Sequence, residues 1–280
     1  LKNKVTVYLR ERLAYAPCLK HLRHVLVKHA LISDEAMAVL IVKKDHPEWM
    51  MIARDLVQQF PQIKTVVLNF NERNDNVILG EKEKVLVGSG MIRENLKNLS
   101  FGISSKSFYQ INTEQTEVLY KKAIKLADLK GKERVLDAYC GIGTIGMAAA
   151  KHAKEVIGVE LNPDAVKDAR ANAKINGVKN IQFYQKDAGE FMVQMAAQEG
   201  KGAIDVVFMD PPRAGSDEAF MSSVVKLAPK KVVYVSCNPE TLARDLKYLT
   251  KHGYVAGECQ PVDMFPHTHH VENVVLLEKR

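Results

Sequence analysis

The sequence predicts an α/β fold in which a smaller N-terminal α+β domain precedes a doubly wound, Rossmann-like parallel sheet. From about residue 100, short apolar runs alternate with segments of helical periodicity. The runs are apolar at nearly every position, as expected for parallel strands covered by helices on both faces. The earlier part of the chain lacks this alternation. We therefore expect a small domain over residues 1–98 and a larger one over 99–280.

The N-terminal region combines strand-like runs with one helix. Apolar, β-branched runs predict strands at 22–27, 36–42, 63–70 and 84–87. Residues 47–60 have helical spacing, with Trp49, Ile52 and Leu56 on one side and Pro61 just beyond. A polar, Asn-rich stretch at 69–76 predicts a loop.

The C-terminal region repeats strand and helix in turn. Strands are predicted at 135–138, 156–159, 181–184, 204–209 and 232–235. Helices are predicted between them at 144–153, 163–176, 217–227 and 239–251. The tail reads as two strands, 254–262 and 271–278, with no helix between them. We expect these two strands to pair antiparallel and to close one edge of the sheet.

Composition sets broad limits on the class of protein. The chain has 280 residues, with 40 Lys and Arg against 33 Asp and Glu and a net charge of +7, a mild preference for polyanions such as nucleic acids. Four cysteines show no zinc-binding spacing. No apolar stretch approaches the roughly 20 residues of a membrane span, and no secretory leader is visible. We expect a cytoplasmic protein with free thiols.

A glycine turn indicates a nucleoside cofactor. The strand ending at Ala138 runs into Gly141, Gly143 and Gly146 and then a helix of small residues. Glycines allow a sharp turn and close approach of a ligand to the backbone. About 20 residues later a second strand ends in Glu160, where a carboxylate can accept hydrogen bonds from ribose hydroxyls. By itself this pattern fits NAD as well as S-adenosylmethionine, or a tight turn without a ligand.

Further residues favour S-adenosylmethionine. Asp137 and Tyr139 precede the glycines and supply a carboxylate and an aromatic face near the cofactor. Asp187 follows the third strand, where it can meet an adenine. The fourth strand ends in the sequence DPPR, residues 210–213, in which two prolines make a stiff turn that presents the Asp210 carboxylate to a planar base. Such turns are typical of methyltransferases that act on ring or exocyclic atoms.

Cys237 follows the fifth strand within the sequence SCNP, residues 236–239. Asn238 is expected to cap the next helix, and Pro239 to be its first residue. A thiol at a helix N-terminus has a lowered pKa, which would make Cys237 a nucleophile. A small buried cysteine fits the position equally well. Cys140 is interpreted as structural, and Cys18 and Cys259 have no site context.

The segment FPHTHHVE, residues 265–272, supplies a candidate base. Glu272 opens the last strand and is expected at the same sheet edge as Cys237. Sulfur addition at carbon 6 of a uracil activates carbon 5, after which a base must remove the carbon 5 proton. Two alternatives are a solvent-facing strand residue and a metal site formed with the neighbouring histidines. No second ligand cluster supports a metal, so none is expected.

These motifs, in this order, resemble the RNA 5-methyluridine methyltransferase family, which includes bacterial enzymes acting on tRNA and 23S rRNA. The resemblance covers residues 100–280 and also rests on SFYQIN, residues 107–112. It implies a uracil carbon 5 methyltransferase with Cys237 as nucleophile and Glu272 as proton acceptor. It implies S-adenosylmethionine contacts from Gln110, Tyr139, Glu160, Asp187 and Asp210.

The resemblance also implies an RNA partner, for which we expect rRNA rather than tRNA, with residues 1–98 facing the RNA. Tyr109 or Phe265 is a candidate to stack on an extruded base, and Arg213 to contact phosphate or the base edge. Many relatives carry an N-terminal β-barrel, and some an iron–sulfur cluster held by four cysteines; Cys18 stands without such partners. The sequence does not specify the uridine or the oligomeric state.

Two other functions remain open at this point. An amino-methylating enzyme would use the DPPR turn alone, with Cys237 a bystander. A non-catalytic RNA-binding module would keep the fold without chemistry, although such a module has no need of Cys237 or Glu272.

Overall fold

A computed structural model describes residues 1–280. The chain divides into two compact units. Unit 1 comprises Leu1–Asn95 and Ser100–Ser107, and unit 2 comprises Leu96–Leu99 and Phe108–Arg280. The domain boundary expected between residues 98 and 99 stays a prediction.

Unit 1 is built around a four-stranded sheet. Its elements are α1 (Lys2–Leu13), a 3-10 helix (Pro17–His21), β1 (Leu22–Ala30), β2 (Glu35–Val42), α2 (Glu48–Gln59), β3 (Ile63–Phe70) and β4 (Lys82–Val87), followed by the strand pair β5 (Met91–Leu96) and β6 (Leu99–Ser104). The order is β1-β2-β3-β4, with β2 and β3 parallel and the other pairs antiparallel. Because parallel strands need a crossover, α2 connects β2 to β3. It buries Trp49, Ile52 and Leu56, each 0% exposed.

Unit 2 contains the predicted doubly wound sheet. Its elements are α3 (Thr113–Ala127), β7 (Arg134–Ala138), α4 (Thr144–Ala150), β8 (Glu155–Glu160), α5 (Pro163–Ile175), β9 (Ile181–Gln185), α6 (Ala188–Gln198), β10 (Val206–Met209), α7 (Glu218–Leu227), β11 (Lys231–Ser236), α8 (Pro239–Lys251), β12 (Tyr254–Ala256), β13 (Gln260–Val262) and β14 (Glu272–Lys279). The predicted fold class is confirmed. The 254–262 strand is two short strands, and both pair antiparallel with β14.

The strand order places a ligand site at one position of the sheet edge. The order is β12-β14-β11-β10-β7-β8-β9, and the five strands from β11 to β9 are parallel. From β7 the chain proceeds to β8 and β9 on one side, then returns to β10 and β11 on the other. In doubly wound sheets ligands bind where the order reverses, outside the carboxyl ends of the strands. Here that point lies between the ends of β7 and β10.

Five of the six helices of unit 2, all except α4, begin at Asn or Asp residues whose side chains accept a hydrogen bond from the first turn. These N-caps are Asn112, Asn162, Asp187, Asp217 and Asn238. Such caps satisfy amides that the helix leaves unpaired. Most follow a strand, so the same short loops that start each helix also line the carboxyl edge of the sheet. None of the helices in either unit combines the length and apolar character needed to cross a membrane.

Candidate active site

The turn after β7 bends sharply. Tyr139, Gly141 and Gly143 have φ angles of 61°, 55° and 83°, in the region that favours glycine. A Cβ on Gly143 would lie 2.7 Å from the ring of Phe183, so a side chain does not fit there. A Cβ on Gly141 would meet no atom within 4 Å. The backbone at Gly141 is therefore open to a ligand.

Two carboxylates hold this turn in place. Asp137 is 1% exposed and accepts the N–H of Gly146 at 2.7 Å, and burial raises the pKa of its carboxyl to about 7. It therefore supports the first turn of α4 from inside, and its expected place near the cofactor stays a prediction. Glu160, at the end of β8, accepts the N–H groups of Gly141 at 3.0 Å and Asn162 at 2.7 Å. Each carboxylate oxygen has a further lone pair, which leaves room for ribose hydroxyls.

Three other predicted cofactor residues, Tyr139, Asp187 and Gln110, lie on loops that follow strands or precede helices. Asp187 caps α6 by accepting the N–H of Glu190 at 3.0 Å. The Tyr139 hydroxyl lies 3.2 Å from the Ser216 hydroxyl, and burial raises the pKa of Tyr139 to about 12, with the Asp187 charge contributing. Gln110 is 7% exposed and lies two residues before the N-cap of α3. Tyr139, Glu160 and Asp187 thus lie at the carboxyl ends of β7, β8 and β9, respectively.

Cys237 and Glu272 lie at the same edge of the sheet. Cys237 directly follows β11, and Glu272 is the first residue of β14. The antiparallel register of β11 and β14 pairs Ser236 with Asn273. Cys237 and Glu272 are the next residues on each side of that pair, so they lie opposite each other. Asn238 caps α8 by accepting the N–H of Glu240 at 3.0 Å, and Pro239 begins the helix.

Two carboxyl groups, those of Glu272 and Asp210, and the Cys237 thiol interact electrostatically at this edge of the sheet. Glu272 is 3% exposed, its Oε2 has no hydrogen-bond partner, and burial raises the pKa of its carboxyl to about 6. Burial also raises the pKa of Asp210, and the charges of Glu272 and Asp137 raise it further. A buried carboxyl without hydrogen bonds holds a proton more readily than one in water. Glu272 is thereby suited to exchange a proton near neutral pH.

The prediction that the helix N-terminus lowers the pKa of Cys237 is wrong. Burial raises the pKa of this thiol, and the negative charges of Glu272 and Asp210 raise it further. Arg213 and the backbone amide of Cys237 act in the opposite direction but are weaker. The desolvation of the half-buried thiol therefore outweighs the helix terminus.

Arg213 lies beside the histidine-rich segment. Its Nη2 lies 2.8 Å from Nδ1 of His270. The His270 ring is tilted by 49° to that of His269, with ring centroids 4.1 Å apart, and meets the Phe265 ring edge-on at 6.2 Å. The Arg213 charge also acts on Cys237 and Glu272, lowering the pKa of both. Arg213 is thus the cation that faces the two predicted catalytic residues.

Unit 1 contains one group of side chains of the types that bind metals. Their sulfur, nitrogen and oxygen atoms lie within 4.8 Å of one another, and the residues are Cys18, His46 and Glu48. Glu48 accepts the backbone N–H of Cys18 at 3.1 Å, and His46 Nδ1 lies 3.6 Å from Oε2 of Glu48. Burial, with Glu48 as a hydrogen-bond partner, raises the pKa of the Cys18 thiol to about 12. This cysteine therefore stays protonated and is inert as a nucleophile.

The family model described as tRNA (uracil-5-)-methyltransferase matches residues 3–280. The chain belongs to this family. An uncharacterized RNA methyltransferase of Bacillus cereus is 46% identical over 259 residues, which cover 92% of this chain and 56% of that protein. A second B. cereus RNA methyltransferase is 44% identical over 278 residues, covering 99% of this chain and 59% of its own length. The chain thus spans somewhat more than half the length of these relatives.

One solved structure agrees with the family assignment, and a second shares only the fold. Pyrococcus abyssi tRNA (uracil-54, C5)-methyltransferase, solved in complex with S-adenosyl-L-homocysteine, superimposes with a TM-score of 0.75 at 33% identity, covering 92% of this chain and 60% of its own. The tRNA m1G37 methyltransferase of M. jannaschii has a TM-score of 0.57 at 14% identity, covering 94% of this chain and 77% of its own, and shares the fold.

The sequence analysis missed a buried polar network that joins α8 to β11 and to the loop after β10. Asp245, in α8, is 3% exposed and accepts hydrogen bonds from the Tyr234 hydroxyl and the Ser216 amide. A signal was present, because Asp245 lies between Leu242 and Leu249 on the apolar face of the helix. A carboxylate at such a position needs buried partners.

Proposed function

We propose that this chain transfers a methyl group from S-adenosylmethionine to carbon 5 of a uracil in RNA. The observation that carries the proposal is the grouping of Cys237, Glu272 and Asp210 at one sheet edge, with Arg213 facing them. Family membership and the tRNA uracil activity named for the P. abyssi protein support the same chemistry.

The residues around the glycine turn fit S-adenosylmethionine. The open backbone at Gly141 admits a ligand, and Glu160 retains acceptor sites for ribose hydroxyls. We propose that Tyr139 and Asp187 line the adenosine side, and that Gln110 and Asp210 line the methionine side. When bound, S-adenosylmethionine supplies an electrophilic methyl group.

Cys237 supplies the nucleophile in this proposal. Carbon 5 of uracil is a weak nucleophile, and addition of the Cys237 thiolate to carbon 6 pushes electron density onto carbon 5. The thiol must lose its proton first. Burial and the neighbouring carboxylates raise the pKa of this thiol in the free protein, and the Arg213 charge opposes that shift, so Arg213 favours the thiolate. Attack also requires the uracil to leave its stack, since a stacked base shields carbon 6.

Glu272 supplies the base. After methylation carbon 5 carries both a methyl group and a proton, and the sulfur can leave only once that proton is removed. A carboxyl with a pKa of about 6 is mostly ionised at neutral pH and still basic enough to accept the proton. Removal of the proton restores the double bond as the bond between sulfur and carbon 6 breaks, which regenerates the thiolate.

The proposal also extends to the kind of RNA that is methylated. We propose rRNA as the substrate, with the predicted domain of residues 1–98 contacting the RNA. The net charge of +7 favours a polyanion, although it does not distinguish one RNA from another. The competing substrate is tRNA, which is named in both the family model and the P. abyssi structure.

Methyl transfer from radiolabelled S-adenosylmethionine to separate rRNA and tRNA pools tests the proposal, with mass spectrometry of digested RNA to locate the methyl group. We expect 5-methyluridine from the wild type and from Cys259→Ala, a control at the exposed cysteine, and none from Cys237→Ala. Turnover by Cys237→Ala would favour amino-methylation through the DPPR turn. RNA binding without any methyl transfer by the wild type would favour a binding module. Methylation of tRNA alone would contradict the rRNA assignment.

A further inference from the structure

The loop that follows Asp210 is fastened to α8. The N–H of Gly215 closes a turn on the Pro212 carbonyl at 2.8 Å. The Arg213 carbonyl accepts hydrogen bonds from Asn238 Nδ2 at 3.1 Å and Thr241 Oγ1 at 3.2 Å. The side chains that hold this loop therefore start one residue after Cys237.

Asp245 and Arg244 hold the other end of the loop. Oδ2 of Asp245 accepts the Ser216 N–H at 3.0 Å and the Tyr234 hydroxyl at 2.7 Å. Oδ1 accepts Arg244 Nε at 2.8 Å, and Arg244 Nη2 donates to the carbonyls of Ala214 at 3.0 Å and Ser216 at 3.2 Å. Both oxygens of this buried carboxylate are thus satisfied, as a buried charge requires.

The loop lies against this pair with no spare space. Gly215 has a φ of 77°, and a Cβ on it would lie 2.4 Å from Nη2 of Arg244 and 2.7 Å from Oδ2 of Asp245. The backbone of the loop therefore fits against the two side chains, and movement of either one must move the loop.

The network connects the segments that carry the proposed chemistry. Tyr234 lies in β11, three residues before Cys237, and Ser216 contacts the hydroxyl of Tyr139 beside the cofactor turn. Arg213, within the fastened loop, provides the positive charge near Cys237 and Glu272. We infer that Asp245 is a positioning residue for methyl transfer, which fixes the loop so that Arg213 faces Cys237. This inference rests on the proposed function for its kinetic consequence, but not for its effect on the cysteine.

The first test measures the cysteine directly and needs no substrate. Iodoacetamide alkylation of Cys237 is followed by peptide mass spectrometry across pH in the wild type, Asp245→Ala and Asp245→Asn. The acidic groups facing Cys237 are Glu272 and Asp210, and Arg213 is the opposing cation. Loss of a fixed Arg213 should shift the alkylation midpoint upward by at least about half a pH unit, a slowing of about threefold near neutral pH.

Leu249→Ala is the matched control, since Leu249 is 0% exposed in the same helix and contacts the core instead of the loop. It should lower thermal stability with alkylation unchanged within about twofold. If Asp245→Ala fails to fold, Asp245→Asn, which keeps the shape, provides the comparison. An alkylation profile for the Asp245 variants that follows Leu249→Ala would overturn the inference.

The second test separates the inference from the proposed function. With the methyl-transfer assay, kcat of Asp245→Asn should fall by about tenfold or more, because small misplacements of reacting groups are costly. The KM for S-adenosylmethionine should change by less than about threefold, because the contact to Tyr139 is a single hydroxyl pair. Equal losses in Leu249→Ala would contradict a positioning role. Absence of methyl transfer in the wild type, together with a shifted alkylation profile, would reject the proposed function and retain Asp245 as the residue that fixes the loop.

Discussion

Replacing Glu272 with Gln should raise the free energy of unfolding, compared with that of the wild type, as the pH rises. The same replacement should abolish turnover. Glu272 is 3% exposed and its Oε2 has no hydrogen-bond partner, so ionising it in the folded state is unfavourable. The pKa of its carboxyl is raised from 4.5 to about 6. Gln keeps the shape of the side chain and removes the titration.

The sign follows from proton linkage. Because the folded state binds this proton more tightly than the unfolded state, ionisation favours unfolding. The cost is absent below about pH 4.5 and is complete above about pH 6, which is the window between the two pKa values. A shift from 4.5 to about 6, at 1.36 kcal/mol per unit, corresponds to about 2 kcal/mol. The free energy of unfolding of Glu272→Gln, relative to wild type, should therefore rise by about 2 kcal/mol between pH 4 and pH 8.

Urea unfolding followed by far-UV circular dichroism at several pH values measures this difference. Trp49, the single tryptophan, lies in unit 1, so its fluorescence identifies the transition of that unit separately. The pH-independent cost of burying an amide cancels when the two pH values are compared. Glu278→Gln, at an exposed position of the same strand, is the control and should stay within about 0.5 kcal/mol. A flat difference for Glu272→Gln between pH 4 and pH 8 would refute the reasoning.

Three further predictions concern neighbouring parts of the site. Gly143→Ala should lower the free energy of unfolding by at least about 1 kcal/mol and weaken S-adenosylmethionine binding, because its φ is 83° and a Cβ meets Phe183; calorimetry with unchanged affinity would contradict this. Asn238→Ala should cost about 1 kcal/mol more than Asn238→Ser in urea unfolding, because both lose the Nδ2 contact to the Arg213 carbonyl and only Ser keeps the α8 cap, and equal losses in both would argue against capping. The pH midpoint for alkylation of Cys237 should lie above that of free cysteine measured alongside and should move higher in Arg213→Ala. A wild-type midpoint below that of free cysteine would reject the electrostatic account.

Much of the fold followed from periodicity. The five parallel strands and the helix at Glu48–Gln59 were predicted because their apolar positions recur at strand or helix spacing over several residues. Asn238 and Pro239 were predicted as cap and first helical residue because those roles depend on local chemistry alone. Such features are determined by neighbours in the chain, so the sequence reports them directly.

The sequence analysis missed the helices α1, α3 and α6 and the strands β5 and β6. α1 buries only Val5, Leu9 and Leu13 among charged residues, a narrow stripe at intervals of four. α3 was missed although Asn112 caps it, because the preceding motif was interpreted only as a family pattern. α1 has no side-chain cap and little amphipathic character, so it depends on tertiary packing, which is not visible in a linear pattern.

The electrostatics of the site depended on distant parts of the chain. The pKa of Cys237 was predicted from its helix terminus alone, whereas Glu272 and Asp210 arrive from other strands and burial dominates. The Asp245 network likewise joins residues from β11, α8 and the loop after β10. Charges brought together by folding cannot be summed from sequence neighbours.

The most direct test of the account is covalent trapping on RNA that contains 5-fluorouridine. Fluorine at carbon 5 cannot be removed by Glu272 as a proton is, so addition of the Cys237 sulfur at carbon 6 and methylation should leave a stable protein–RNA adduct. Mass spectrometry of the digested adduct should find the methylated fluorouridine on the peptide that contains Cys237. Labelled RNA attached to another residue, or free 5-fluorouridine RNA beside a wild-type protein that methylates normal RNA, would contradict the account.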